Sequence, residues 1–364
     1  MHFLVVKLSA IGDVVHALPA VAALRSAYPD SRITWIAERT AATILVGNPT
    51  IDELIIIDTK AWRKRFWQPR VWKEVIQTIK RLHSYPIDIA FDFQGLLKSG
   101  LIALLSGSKK RFGFSTNGLR EKASRLFLSD QVDVNNQVHV IEKNLQLVAS
   151  LDIPTKSTYE FPITVSDQDQ EYITNLLAKY NLSEFAIINP GGGWPTKVWP
   201  PKYFGEISDW LWENYQLASL VTFGPGEENL AESVVNAARL GHTYQITTNL
   251  KQFVSLAKRA TIFIGGDTGP LHLAAACHTP IVGIYGPTVA TRNGPFDPKD
   301  VTVGLELTDL SCRVNCYRRR CPTNNECMDI PVQMVVRAIE ERLPKIKLWQ
   351  LKKHNNSSAA LASH

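Results

Sequence analysis

At 364 residues, with 45% apolar and 20% charged side chains, the chain has the composition of an ordinary globular protein, long enough for two domains. No run of eighteen or more uncharged apolar residues occurs, so no transmembrane segment is expected. Lys7 and Asp13 interrupt the first apolar run, which therefore does not read as a signal peptide. The net charge of +6 is uneven: fifteen Lys/Arg face four acids between Lys60 and Arg125, and such an excess implies an anionic partner. Nucleic acid, an anionic membrane face and an acidic small substrate all fit that charge. Trp62, Phe66, Trp67 and Trp72 interleave with it. No recognised nucleic-acid motif accompanies them, so a nucleic-acid partner is not expected.

In chain order, strands are predicted at Phe3–Val6, Ile33–Ala37, Leu54–Ile57, Ile87–Phe91 and Arg111–Phe114. Helices are predicted at Val14–Ala27, Ala41–Val46, Val71–Leu82, Leu96–Leu105 and Val138–Leu151, with Pro19 restarting the first. The Trp-rich segment before Val71 reads as a mobile loop. Asp152–Pro162 has two prolines and no apolar periodicity, and reads as a linker. A second alternating series runs from Gln168–Tyr180 to the strand Ile281–Ile284, followed by a helix over Val332–Leu343. Two successive βα series predict an α/β protein of two Rossmann-like, doubly wound domains facing a central cleft. The boundaries expected are 1–155 and 165–330, then a helix over 331–345 and a disordered polar tail over 346–364.

The turn after the first strand, Lys7 to His16, carries one glycine and then a carboxylate, Asp13. A phosphate cradle would carry more glycines and no acid there. Asp13 therefore suits a base aimed at a hydroxyl, although its position alone favours a plain acid in the first turn of a helix. Three glycine-rich turns of the second half fall at strand ends. Gly191-Gly192-Gly193, followed by Lys197, offers close backbone approach and a mobile positive charge to an anion. Gly224-Pro225-Gly226-Glu227 offers a carboxylate to ribose hydroxyls, or only a helix start. Asp267-Thr268-Gly269-Pro270-Leu271-His272 opens a helix whose freed N–H groups favour a diphosphate.

Taken in order, Gly12-Asp13, the glycine turn ending in Lys197, Gly224-x2-Glu227 and Asp267-Thr268-Gly269-x2-His272 resemble the bacterial ADP-heptose:lipopolysaccharide heptosyltransferases. The similarity runs from residue 1 to about residue 345. In the first half, Trp62-Arg63-Lys64, Gln94-Gly95-Leu96-x-Lys98-Ser99, Leu119-Arg120-Glu121 and His139 are similar to the branch that adds the first heptose to Kdo, heptosyltransferase I. Lys60-Ala61 and Lys143 depart from it, where arginines are usual.

The resemblance implies an inverting GT-B glycosyltransferase in lipopolysaccharide inner-core synthesis. It would be cytoplasmic, peripheral on the inner membrane, with no cofactor and no metal. Asp13 would be the general base, and Lys197 would stabilise the departing ADP. Gly192, Gly193, Lys197, Glu227, Asp267, Thr268, Gly269 and His272 would hold ADP-heptose. Lys60, Arg63, Lys64, Arg120, His139 and Lys143 would meet the Kdo–lipid A acceptor. A heptosyltransferase of another core position, an epimerase and a non-transferring sugar-nucleotide-binding protein remain alternatives.

Asp167-Gln168-Asp169 has the letters of a metal motif but reads as a helix-capping cluster. Cys312, Cys316, Cys321 and Cys327 lack C-x-x-C spacing, which leaves packed free thiols, zinc or a redox role open.

Overall fold

The computed structural model describes residues 1–364 except 117, 120, 155–158, 307–311, 313–315, 317, 323–324 and 344–364. The chain divides into two compact units, the first covering Met1–Ser166 and the second starting at Asp167.

The first unit runs β1 (His2–Val6), α1 (Ile11–Val15), α2 (Leu18–Ala27), β2 (Arg32–Glu38), α3 (Arg39–Leu45) and β3 (Glu53–Ile57). It continues α4 (Thr59–Lys64), α5 (Pro69–Leu82), β4 (Ile89–Asp92), α6 (Leu97–Leu105), β5 (Lys110–Phe114), β6 (Asp130–Val132) and α7 (Val140–Ala149). Every residue of β1 is buried, as a strand covered by helices on both faces requires. The six strands are parallel and lie in the order β3-β2-β1-β4-β5-β6. The connections turn back between β1 and β4, so the ligand-binding crevice of such a sheet opens beyond their carboxyl ends.

The second unit runs α8 (Asp167–Lys179), β7 (Phe185–Asn189), α9 (Pro201–Tyr215), β8 (Ala218–Val221), α10 (Glu228–Ala237), β9 (Thr243–Gln245) and α11 (Leu250–Ala257). It ends with β10 (Ile262–Gly266), α12 (Gly269–Ala276), β11 (Ile281–Ile284), α13 (Ala290–Asn293), β12 (Val301–Val303) and α14 (Val332–Arg342). Its parallel sheet, β12-β11-β10-β7-β8-β9, repeats the first in reverse reading, with the turn-back between β7 and β10. α14 packs Val335, Ala338 and Ile339 into the same core as Ile188, Ile264 and Val282. It is therefore an integral layer of this unit.

Several sequence expectations change. The segment between β3 and α5, expected as a mobile loop, contains α4, whose start is capped by Asp58 accepting from the Ala61 N–H at 2.8 Å. The first helix is broken in two, as Pro19 predicts, with α2 starting one residue earlier, at Leu18. The three-residue edge strands β6, β9 and β12 were not anticipated. Asp167 and Asp169 lie in the first turn of α8. The tail over 346–364 lies outside the described residues.

Candidate active site

In the second unit, the candidate donor residues gather where the β7 and β10 connections diverge. Gly266 ends β10, and the chain passes through Asp267 and Thr268 into α12. After β7 the glycine turn leads into a single 3-10 turn, Pro195–Lys197. That turn carries the Lys197 ammonium to Asp267, where Nζ lies 2.7 Å from Oδ2 and also donates to the Asp267 carbonyl. Both side chains are buried, at 8% and 7% exposure. The other carboxylate oxygen, Oδ1, meets His272 Nε2 at 3.2 Å and accepts from Asn293 Nδ2 at 2.9 Å.

Burial on its own would push the Asp267 carboxyl up. The His272 hydrogen bond, the His272 charge and the Lys197 ammonium outweigh it and hold the group well below the usual carboxylate range. The result is a buried carboxylate stabilised from three sides. Lys197 is thus not the mobile charge expected from its glycine-rich neighbourhood, because the 3-10 turn and the ion pair fix it. Its Nζ also sits 4.5 Å from the centre of the Trp194 ring, whose own Nε1 is buried without a hydrogen-bond partner among the described residues.

Thr268 caps α12 in extended conformation, with its Oγ1 donating to the Gly266 carbonyl at 3.3 Å. The first-turn N–H groups of α12 therefore keep no side-chain cap from Thr268. Glu227 stands at the start of α10, and its Oε2 accepts from the Gly224 N–H at 3.1 Å. The same carboxylate lies over Gly191, where a Cβ would overlap it. Two of the glycine turns thus touch through Glu227. At Gly192 a Cβ would overlap the Trp194 carbonyl and Val198, while Gly193 takes a left-handed φ of +72°.

In the first unit the turn after β1 is held from β4. Lys7 is buried and donates to the Phe93 carbonyl at 2.8 Å. Gln94 Oε1 accepts from the Leu8 and Ser9 N–H groups at 3.0 and 3.2 Å. Burial raises the Asp92 carboxyl, despite donation from Gly95, Ser99 and Gln94 and the nearby Lys7 charge. Asp13, half-buried in the only full turn of α1, accepts from the Ala10 N–H at 3.0 Å. It serves the helix start and leaves one carboxylate oxygen outside that bond.

The candidate acceptor residues fall in two groups. Lys60, Arg63 and Lys64 are exposed on α4. His139 caps α7, accepting from the Ile141 N–H at 3.2 Å, and its ring meets that of His16 edge-on at 5.4 Å. Lys143 donates to the Gly118 carbonyl and to Asn136 Oδ1, both at 2.9 Å. Arg120 lies outside the described residues.

Sequence reasoning missed Asn293, which reaches Asp267 only because α13 follows β11 across the sheet; no local motif announces it. Gln94 was visible as part of a motif, but its grip on the Leu8–Ser9 backbone was not. Cys312, Cys316 and Cys321 are half-buried and Cys327 is buried, all as free thiols. Burial and the neighbouring thiols push Cys327 up to about 11. Among the described residues, no group of three or more His, Cys, Asp or Glu is placed to hold a metal ion.

Two parallel sheets of Rossmann order, each with polar groups gathered at its turn-back point, define an α/β protein of the GT-B glycosyltransferase type. The chain belongs to glycosyltransferase family 9 (heptosyltransferase), whose pattern matches residues 75–321. It is 29% identical to lipopolysaccharide heptosyltransferase 1 of Pseudomonas aeruginosa, over 88% of this chain and 87% of that protein. It is 26% identical to lipopolysaccharide heptosyltransferase 1 of Escherichia coli K12, over 79% and 88%. Its fold is similar to that of E. coli heptosyltransferase WaaC with ADP, with a TM-score of 0.77 at 24% identity, covering 94% of this chain and all of the other. A family 9 glycosyltransferase from Veillonella parvula aligns at a TM-score of 0.79 and 20% identity, over 93% and 96%.

Proposed function

We propose that this enzyme transfers L-glycero-D-manno-heptose from ADP-heptose to Kdo of Kdo–lipid A, with inversion, in lipopolysaccharide inner-core synthesis. The observation that carries the reading is the buried Lys197–Asp267–His272 cluster beside the start of α12. A diphosphate near a carboxylate needs that carboxylate neutralised, and Lys197 with His272 does so. The start of α12 then supplies backbone N–H groups and a positive dipole end to the phosphates. The similarity to heptosyltransferases 1 supports the sugar and the acceptor, and the ADP of the WaaC structure supports the nucleotide.

In this mechanism the second unit binds ADP-heptose and the first binds the acceptor. The free oxygen of Asp13 takes the proton from the attacking Kdo hydroxyl. A carboxylate is too weak a base to deprotonate a sugar alcohol beforehand, so the proton moves as the new C–O bond forms. The anomeric C–O bond to phosphate breaks on the opposite face, and ADP leaves with its growing charge stabilised by the α12 start and by Lys197. Glu227 accepts the ribose hydroxyls. Lys60, Arg63, Lys64, Arg120, His139 and Lys143 hold the anionic acceptor. No helix among the described residues is long and apolar enough to cross a membrane. We place the enzyme on the cytoplasmic face of the inner membrane as a peripheral protein.

The test offers purified protein ADP-heptose with Kdo–lipid A, with its heptosylated product, or with no acceptor. ADP release that requires Kdo–lipid A supports the reading. Release only with the heptosylated acceptor moves the enzyme to the second core position. Turnover without any acceptor makes it a hydrolase or epimerase.

A further inference from the structure

α5 carries two apolar stripes where a helix packed on one sheet needs one. The inner stripe, Val71, Val75, Ile79 and Leu82, faces the core, and its ends Val71 and Leu82 are buried. The outer stripe places Trp72 and Ile76 one turn apart, 56% and 50% exposed. Phe66 and Trp67, just before the helix, are 61% and 66% exposed and extend it. Trp67, Trp72 and Ile76, with Lys73, Gln77 and Lys80, line an open depression of about 560 Å³.

The patch is built rather than loose. Trp72 Nε1 donates to the Phe66 carbonyl at 2.7 Å, and the Phe66 and Trp67 rings meet edge to face at 5.3 Å. Around it cations outnumber acids, although Arg81 at the end of α5 is paired with Glu53 at 2.6 Å. Between Lys60 and Tyr85 there are eight Lys/Arg and a single acid, Glu74. That acid is already engaged by Arg70 at 3.4 Å and by Trp62 Nε1 at 3.2 Å.

We infer that the outer face of α5, with Trp67, Trp72 and Ile76 as its apolar edge and Lys73 and Lys80 as its cationic rim, seats this protein on an anionic phospholipid bilayer. Indoles with a polar N–H beside an apolar ring partition to the headgroup boundary, and lysines lay their stems along it with the ammonium at the phosphates. A protein partner would need paired acids or matched hydrogen bonds. A mainly cationic field around aromatic rings matches the diffuse negative potential of a lipid surface. The inference deepens the membrane-bound acceptor proposed above and rests on that reading, since the apolar edge lies on the same unit as Arg63 and Lys64.

The experiment is sedimentation of the full chain with vesicles, in the absence of sugar nucleotide. Vesicles of phosphatidylethanolamine with about a quarter phosphatidylglycerol should pellet the protein, and pure phosphatidylcholine should not. Trp67→Ala/Trp72→Ala should weaken the partition at least ~10-fold, and Lys73→Ala/Lys80→Ala about 30-fold. Ile76→Ser, a single exposed change, repeats the direction without risk to folding. All three variants should release ADP normally with a delipidated, water-soluble Kdo acceptor. Wild-type protein that ignores anionic vesicles, or variants that pellet as well as wild type, overturns the inference. So does a single-stranded oligonucleotide that displaces the protein from vesicles through the same residues, which would make the patch a nucleic-acid surface. Failure on vesicles with intact transfer to the soluble acceptor rejects the seat alone; normal seating without transfer rejects only the proposed reaction.

Discussion

The Lys197 ammonium and the Asp267 carboxylate, 70 residues apart in the chain, close a buried ion pair at 2.7 Å across the ends of β7 and β10. These two neighbouring strands are where the connections of the sheet turn back, so the pair pins the one place in the unit where loops diverge. The same residues that suit phosphate chemistry therefore also hold the fold. Read as sequence, Lys197→Ala is a pure binding variant; read in the structure, it leaves a buried carboxylate short of its ammonium partner.

Lys197→Ala should thus lower stability by about 3 kcal/mol, the lower end for breaking a buried pair, since His272 and Asn293 still serve Asp267. Lys197→Met/Asp267→Asn, which removes both charges, should recover part of that loss while transfer stays abolished. The sign with pH follows from the depressed Asp267 carboxyl. Its contribution is fully present above the unfolded value near ~4 and is lost only as pH falls through the lower folded value. Urea unfolding of wild type and Asp267→Asn, followed from neutral pH to about pH 3, checks this. The difference between them should hold down to about pH 4 and narrow below it.

Asp13→Asn keeps an oxygen for the Ala10 N–H and removes the proton acceptor. Turnover should fall at least ~100-fold, with ADP affinity and melting temperature near wild type. Steady-state rates beside ADP titration calorimetry decide it. Near-normal turnover would return Asp13 to the helix-start role that its hydrogen bond already shows.

The cations of α4 should act on one substrate only. Arg63 and Lys64 are exposed at the end of a short helix and hold no part of the core. Arg63→Ala/Lys64→Ala should raise the apparent KM for Kdo–lipid A several-fold and leave that for ADP-heptose unchanged. Equal effects on both substrates, or on neither, would remove these residues from the acceptor site.

The legibility of this chain follows the physics of each element. β1 and β7 are buried along their whole length, so unbroken apolar runs announced them, and the glycine turn after β7 marked the crevice of the second sheet. β6, β9 and β12 have three residues each at or near a sheet edge, too short for any periodicity. α4 escaped because its helical start depends on the Asp58 cap, and the Arg/Trp-rich run that follows has no apolar face of its own. Lys197 was legible as a charge but not as a buried one. Its partner is set by the adjacency of β7 and β10, which no local pattern encodes. Asn293 was invisible for the same reason, and Lys7 shows the parallel case in the first unit.

Gly191→Ala tests the ribose assignment without touching a charged group. An added Cβ there would overlap the carboxylate of Glu227, the far end of a flexible side chain. The side chain can swing away at little cost, so the melting temperature should move by no more than a few degrees. The carboxylate would, however, leave its place between Gly191 and the Gly224 N–H, and lose the 3.1 Å hydrogen bond that fixes it. If Glu227 binds the ribose, the KM for ADP-heptose should rise by about 10-fold, the equivalent of ~1.4 kcal/mol for one misplaced charge-assisted bond. Glu227→Gln should give a similar increase, and the double variant should add little, because both changes remove the same contact. Unchanged donor KM in Gly191→Ala, measured beside a normal melting curve, would show that Glu227 only opens α10.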